Sequence, residues 1–240
     1  MNALKWLFRK PVRGADTSQS VSRSDVGRVR TANEDRVLDR TDLRLWAVAD
    51  GMGGHRSGDV AADFVVAELT RWGERQNTAG LNAAVLQTHE KLLELIGGQG
   101  GATLVAMVAG HDEVQICWAG DSRAYLIREG TLRQLTKDHS IVQQLLDAGL
   151  IDEATSHTHP QANVVTSALG SSRYPLIEEI AVSILPGDRV LLCSDGLSRS
   201  LRAQDILNQK PLPELADQML MQALERDGRD NVSFVLVQFS

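Results

Sequence analysis

The stretch ICWAGDSRAYLIREGTLRQLT, residues 116–136, constrains the fold of this 240-residue chain more than any other. It holds three runs of apolar and β-branched residues with very short gaps, and Glu129-Gly130 is a tight turn between the last two. Short connections force neighbouring strands to run antiparallel, because a parallel pair needs a long crossover. The segment therefore predicts an antiparallel sheet.

The rest of the chain extends this pattern. Strand-like segments fall at 36–40, 43–49, 102–109, 113–119, 123–128, 131–135, 177–184, 188–194 and 231–239. Apolar residues at helical spacing occupy 57–72, 81–96 and 214–226, and a shorter helix begins at the N-cap Ser140. Strands and helices do not alternate, so a doubly wound parallel sheet fits poorly. We expect an α+β fold, an antiparallel β-sandwich flanked by helices on both outer faces (α-β-β-α).

The domain organisation is predicted to be simple. Residues 1–22 form a polar N-terminal tail, and residues 23–240 form one domain without a linker or repeat. The basic start of the tail has two interpretations, an amphipathic membrane tether or a loose segment, and we favour the second. Its apolar stretch is too short for a membrane span.

Charge and cysteine content exclude some classes of function. A net charge of −6 argues against binding nucleic acid, which requires a basic surface. Cys117 and Cys193 both lie in apolar strand-like runs, so we expect buried, reduced thiols of a cytoplasmic protein rather than a disulfide.

Four aspartates lie where predicted strands meet loops: Asp50, Asp121, Asp195 and Asp230. The first three follow strands and the fourth precedes one. In an antiparallel sandwich these strand ends lie at the same edge, so all four side chains can converge. Clustered carboxylates repel unless a cation lies between them, and an all-oxygen ligand set favours Mg²⁺ or Mn²⁺ over Zn²⁺. A single Asp-Gly is ordinarily a turn. Four such aspartates together indicate a metal site, where Gly51 lets the backbone carbonyl approach the ion.

The segment VGRVRTANEDR adds groups suited to phosphate chemistry. The planar guanidinium of Arg30 can bind a phosphate, and Glu34 and Asp35 can hold waters of a metal ion. A polar surface turn is the alternative interpretation of this segment taken alone.

These motifs together resemble a known family. RTANEDR, VADGMGG, GATLV, AGDSRAYLI, LTKDHS, ALG, LLCSDGL and RDNVSFVLV occur in order and at suitable spacing over about residues 23–240. The chain resembles the metal-dependent type 2C (PPM) protein serine/threonine phosphatases. It looks most like the compact bacterial members that oppose Hanks-type kinases, some of which accompany type VI secretion.

The resemblance implies a metal centre with two ions and a third beside them. Asp50 would bridge two ions, and Gly51 would give its carbonyl to one of them. Asp195 and Asp230 would complete the second site, and Asp121 with Asp195 would hold the third ion.

The resemblance also implies how substrate is bound. Arg30 would bind the phosphate and Asp35 would orient a metal-bound water. Residues 138–166 would form a flap that touches phosphorylated protein substrates, whose phosphorylation a cognate kinase supplies. Many eukaryotic relatives have a histidine directly after Asp-Gly as the proton donor, whereas this chain has Met52. His139 and a metal-bound water are the alternatives for that role, and His55 is interpreted as a loop residue.

Two rival functions stay open at this stage. One is a catalytically silent relative that only binds phosphoproteins, and the other is a metal-dependent phosphoesterase acting on small molecules or nucleotides.

Overall fold

The computed structural model describes residues 17–53, 57–75, 80–156 and 158–240. The choice between a tether and a loose segment for the basic N-terminus concerns residues outside these ranges. Likewise His55, interpreted as a loop residue, lies outside them.

In these ranges, ten strands form two five-stranded antiparallel sheets. The strands are β1 (Ser18–Asp25), β2 (Asp35–Arg40), β3 (Leu45–Met52), β4 (Gly101–Ala109), β5 (Glu113–Ala119), β6 (Arg123–Arg128), β7 (Thr131–Gln134), β8 (Glu178–Ser183), β9 (Arg189–Cys193) and β10 (Val232–Phe239). The first sheet has the order β1-β10-β9-β6-β7 and the second has the order β2-β3-β4-β5-β8.

Helices cover both outer faces of the sandwich. They are α1 (Ser57–Glu74), α2 (Leu81–Ile96), α3 (Ile141–Asp147), α4 (Glu153–Ser156), α5 (Asp195–Ser198), α6 (Ala203–Ile206) and α7 (Leu212–Arg226). α1 and α2 pack on the second sheet, and α7 packs on the first. The expected α-β-β-α arrangement is confirmed.

Three apolar layers hold this arrangement together. Alternate residues of each strand enter the layer between the sheets, as Trp46 and Val48 do, while Ala47 and Ala49 pack under α1 and α2. Cys117 and Cys193 are buried free thiols, and burial raises the pKa of each to about 12.

Strand β1 is one element that the sequence does not predict, as are the short helices α4, α5 and α6. It pairs with β10 along its whole length, from Ser18 opposite Phe239 to Asp25 opposite Val232. Its sequence SQSVSRSD has one apolar residue, because an edge strand needs little burial. The tail predicted up to residue 22 therefore overlaps this strand.

Within the described part of the chain, no helix combines the length and the apolar character needed to cross a bilayer.

Candidate metal centre

The centre begins with two carboxylates on adjacent strands. Asp50 lies near the end of β3 on the same face as Trp46 and Val48, which point between the sheets. Asp35 is the first residue of β2 and lies directly opposite Asp50 in the antiparallel register. Both carboxylates therefore project into the same end of the sandwich, where Asp35 is only 3% exposed.

The other predicted aspartates reach the same place from different elements. Asp121 follows β5, Asp195 is the first residue of α5 just after β9, and Asp230 precedes β10. All three line one open cleft of about 260 Å³. The predicted residues that line it are Arg30, Glu34, Asp50, Gly51, Asp121, Asp195 and Asp230.

The pKa values of the carboxylates are raised because these groups are buried close to one another. The pKa of Asp50 is raised well above its usual value, first by burial and then by the neighbouring carboxylates, which are Asp35, Asp195, Asp121 and Asp230. Burial, with smaller contributions from nearby carboxylates, raises the pKa of Asp35 and of Asp121 to about 7. The site therefore concentrates negative charge in a poorly solvated place.

Hydroxyl groups of the opposite sheet hold Asp35. The Ser194 hydroxyl donates to Asp35 Oδ2 at 2.8 Å, and hydrogen bonding by Ser194 and Ser233 opposes part of the rise in the Asp35 pKa. Ser194 directly follows β9 and Ser233 lies on β10, so the contacts of Asp35 link the two sheets. The sequence gives little sign of these two serines as site residues.

Gly51 is a glycine because of its backbone neighbours. A Cβ at this position would lie 2.2 Å from the carbonyl oxygen of Gly58 and 2.8 Å from that of Glu34. The Gly51 amide also donates to the Glu34 carbonyl at 3.2 Å. The chain thus passes between the N-terminal turn of α1 and the segment carrying Arg30, and only glycine fits there.

Two arginines pair with the carboxylates. Arg30 Nη2 lies 3.0 Å from Asp230 Oδ2, and this contact raises the pKa of Arg30. Arg199 forms an ion pair with Asp195, and its other terminal nitrogen lies 4.0 Å from Asp230 Oδ2. Arg199 was missed in the sequence, although its position four residues after Asp195 places it on the same helical face.

Asn231 is a second residue that the sequence does not single out. Its Oδ1 accepts from the Glu34 amide, and its Nδ2 donates to the carbonyls of Val26 and Ala32, each at 2.9 Å. Asn231 is 6% exposed. It therefore ties the segment that carries Arg30, Glu34 and Asp35 to the start of β10.

The donor chemistry fits hard divalent cations. Asp195 Oδ1 is buried and has no hydrogen-bond partner in the described structure, which is costly for a carboxylate oxygen unless a cation binds it. Among the described residues, no three His, Cys, Asp or Glu side chains form a ready-made ligand set, and guanidinium groups pair with Asp195 and Asp230. A cation at this position would take the place of those guanidinium groups beside the carboxylates. Its ligands would be oxygen atoms, which Mg²⁺ and Mn²⁺ prefer.

The predicted flap lies beside the cleft. It carries α3 and α4, and Ser140 is the N-cap of α3, as predicted, because its Oγ accepts from the Gln143 amide at 3.2 Å. A β-bridge between Ser140 and Val165 closes the flap at its base. Asn163 and Val165 of the flap line the same cleft as Asp50.

His139 is placed where it cannot serve the cleft. It is 4% exposed and stacks on Trp118 with 6.3 Å between ring centroids. Its Nδ1 accepts from the Gly120 amide at 3.2 Å, and its Nε2 lies 2.9 Å from Glu178 Oε2. Both ring nitrogens are engaged, which favours water over His139 as the proton donor to substrate. Met52, in contrast, does line the cleft.

Comparisons with known proteins agree with this geometry. A family model described as "Protein phosphatase 2C" matches residues 28–237. The serine/threonine phosphatase stp of Listeria welshimeri is 37% identical over 238 residues, covering 90% of this chain and 94% of that protein.

Two solved structures are also similar. PppA, described as a key regulatory component of T6SS in Pseudomonas aeruginosa, aligns with a TM-score of 0.83 and 34% identity over 95% of this chain and 100% of that one. The catalytic domain of the serine/threonine protein phosphatase PstP, in complex with two manganese ions, aligns with a TM-score of 0.81 and 35% identity over 92% of this chain and 98% of that one.

Proposed function

The chain belongs to the protein phosphatase 2C family, and on that premise we propose that it hydrolyses phosphoserine and phosphothreonine in proteins. The observation that carries the proposal is the group of carboxylates around Asp50 in an open cleft that Arg30 also lines. Burying so many like charges is costly, and divalent cations are what would offset that cost.

The ligand set is proposed from the resemblance to the family, and the shared lining of the cleft supports it. Asp50 would bind two ions, with the Gly51 carbonyl on one of them and Asp195 and Asp230 on the other. Asp121 with Asp195 would hold a third ion. We propose Mn²⁺ or Mg²⁺, and the manganese complex of PstP supports this choice. When bound, such ions supply Lewis-acid activation of water at neutral pH.

The residues of the chain orient the other participants. Arg30, which is half exposed at the rim, would bind the substrate phosphate through its planar fork and offset charge on the equatorial oxygens. Asp35, held by Ser194, would orient the attacking water, and Glu34 at the cleft wall would hold further water. Because His139 is engaged elsewhere, the departing serine oxygen would take its proton from water in the cleft.

The biological setting is proposed from the relatives. A cognate serine/threonine kinase would supply the substrates, and the likeness to PppA supports a role in type VI secretion control. The two buried free thiols support a cytoplasmic location. The acidic net charge of −6 gives no support to nucleic acid as a partner.

One experiment separates the proposal from both rival functions. Purified protein is freed of metal with a chelator, returned to Mn²⁺, and offered a phosphothreonine peptide and a nucleoside monophosphate at equal concentration. We expect Mn²⁺-dependent phosphate release from the peptide in clear preference to the nucleotide. Preference for the nucleotide would favour the small-molecule phosphoesterase, and the absence of turnover with either would favour a silent phosphoprotein-binding relative.

A further inference from the structure

A second, outer cleft opens directly from the metal centre. Its volume is about 630 Å³, and it lies against the flap. Its lining is formed by Arg30, Thr158, His159, Ala162, Asn163, Arg199, Asp227, Arg229 and Asp230. Arg30, Arg199, Asn163 and Asp230 also line the inner cleft, so the two spaces are continuous.

The charges of this lining differ from those of the whole molecule. Three guanidinium groups and two carboxylates line this cleft, a balance of +1 with His159 neutral, whereas the chain carries −6; Arg199 is also paired with Asp195 of the inner cleft. Asp230 is paired with Arg30 at 3.0 Å, and a cation bound at Asp230 would make the balance still more positive. An acidic protein therefore carries, at the entrance to its catalytic cleft, arginines that an anionic group can reach.

Arg229 is the group best placed to meet a substrate. Its side chain is 83% exposed, and its contact is with Asp227 at 3.2 Å on the rim. Such an exposed ion pair contributes little to stability, and the guanidinium can exchange that partner for a ligand at low cost. Arg229 directly precedes Asp230, so it lies beside the metal centre. It lines the outer cleft and not the inner one.

We propose that the outer cleft binds a second anionic group of the same substrate, close to the phosphoresidue under attack. The group is a phosphate or a carboxylate, since guanidinium forks bind both in the same way. The favoured substrates are then proteins whose target phosphoserine or phosphothreonine has a further phosphorylated or acidic residue nearby. This inference rests on the proposed phosphatase function and names its substrate class.

The test compares three phosphothreonine peptides of equal length with Mn²⁺-loaded enzyme. One has alanine around the target, one has glutamates, and one has a second phosphothreonine. We expect kcat/KM to be about 3- to 10-fold higher for the two anionic peptides than for the alanine peptide, mainly through KM. Raising the salt concentration should shrink this advantage. A gain confined to the doubly phosphorylated peptide would identify phosphate as the group that is bound.

Charge variants assign the effect to the cleft. Arg229→Gln should lower the ratio of kcat/KM between anionic and alanine peptides to less than half, and Arg229→Lys should retain most of it. Arg71→Gln is the matched control, because Arg71 is an exposed, ion-paired arginine on α1 and lines neither the inner nor the outer cleft. It should leave the ratio unchanged.

Two results would overturn the inference while leaving the proposed function intact. One is hydrolysis of the alanine peptide as efficiently as the anionic peptides. The other is an anionic preference that survives Arg229→Gln unchanged or falls equally with Arg71→Gln. Failure to hydrolyse any of the three peptides would count against the proposed function itself, and the substrate class inferred from it would fall too.

Discussion

Asp35 and Asp50 face each other across the β2–β3 ladder, with both carboxylates on the inward face of the sheet. Like charges directly opposite each other destabilise a strand pair, and burial raises the cost further. A register that brings these two groups together therefore lowers the stability of the fold for the sake of function, and bound cations would offset that loss. Stability should accordingly depend on pH when no cation is present.

The pH dependence follows from the raised pKa values. The pKa of Asp35 and of Asp121 is about 7 in the folded chain against a usual value near 4, so the folded state binds more protons than the unfolded state between these values. In chelator, the free energy of unfolding should fall as pH rises from 6 to 8, by about 1 kcal/mol per pH unit. Urea unfolding at pH 6, 7 and 8 measures this.

Two controls accompany that measurement. Excess Mn²⁺ should remove the fall, because a cation replaces the protons, and Asp50→Asn should make it shallower in chelator. Stability that is constant from pH 6 to 8 in chelator, or that rises, would contradict the picture of uncompensated carboxylates.

Asn231→Ala tests whether the hydrogen bonds of Asn231 position the segment that carries Arg30. The change removes three hydrogen bonds and leaves the Glu34 amide and the Val26 and Ala32 carbonyls without their partner. We expect a loss of about 2–4 kcal/mol of unfolding free energy, together with a raised KM because Arg30 is less well positioned. Urea unfolding and steady-state kinetics measure the two effects.

Asn208→Ala is the matched control for that change. Asn208 also bridges backbone groups through its side-chain amide, but it lies near α6 and outside the clefts. It should leave KM unchanged. An equal rise in KM for both variants would mean that Asn231 has no particular role in positioning Arg30.

Gly51→Ala tests the close backbone approach at the centre. The added methyl would lie 2.2 Å from the Gly58 carbonyl oxygen, so β3 and the start of α1 must separate. We expect a fall in melting temperature and a loss of Mn²⁺ affinity by calorimetry, since the Gly51 carbonyl would move. Gly80→Ala has open space around the new methyl and should change Mn²⁺ affinity little. Wild-type affinity in Gly51→Ala would remove that carbonyl from the ligand set.

Arg30→Ala tests phosphate binding. If Arg30 contacts the phosphate in the ground state and in the transition state, the variant should have a higher KM and a kcat/KM lower by about 10²-fold. Arg30→Lys should restore only part of this, because an ammonium group cannot make the bidentate contact. Unaltered kinetics with reduced stability would instead make Arg30 a structural partner of Asp230.

The features that the sequence predicts correctly are those that depend on the local pattern of residues. The strand-end aspartates and the order of the apolar runs follow from local chemistry, which is why their convergence at one cleft could be foreseen. Strand β1 was missed because an edge strand tolerates the polar sequence of Ser18–Asp25. The choice between His139 and water stayed open in the sequence because Glu178, the partner of His139, comes from a distant strand. Asn231 acts through tertiary contacts that no local pattern reports, whereas Arg199 was missed although its i,i+4 spacing from Asp195 is a local signal.

The most direct test of the account is a Mn²⁺ titration of phosphothreonine-peptide hydrolysis, run with chelated wild-type protein and with Asp50→Asn. Wild-type turnover should be absent in chelator and return to saturation with Mn²⁺. The variant, which loses the carboxylate shared by two ions, should remain folded and turn over at least about 10²-fold more slowly at every Mn²⁺ concentration. Hydrolysis that persists in chelator, or wild-type turnover by Asp50→Asn at modest Mn²⁺, would contradict the account.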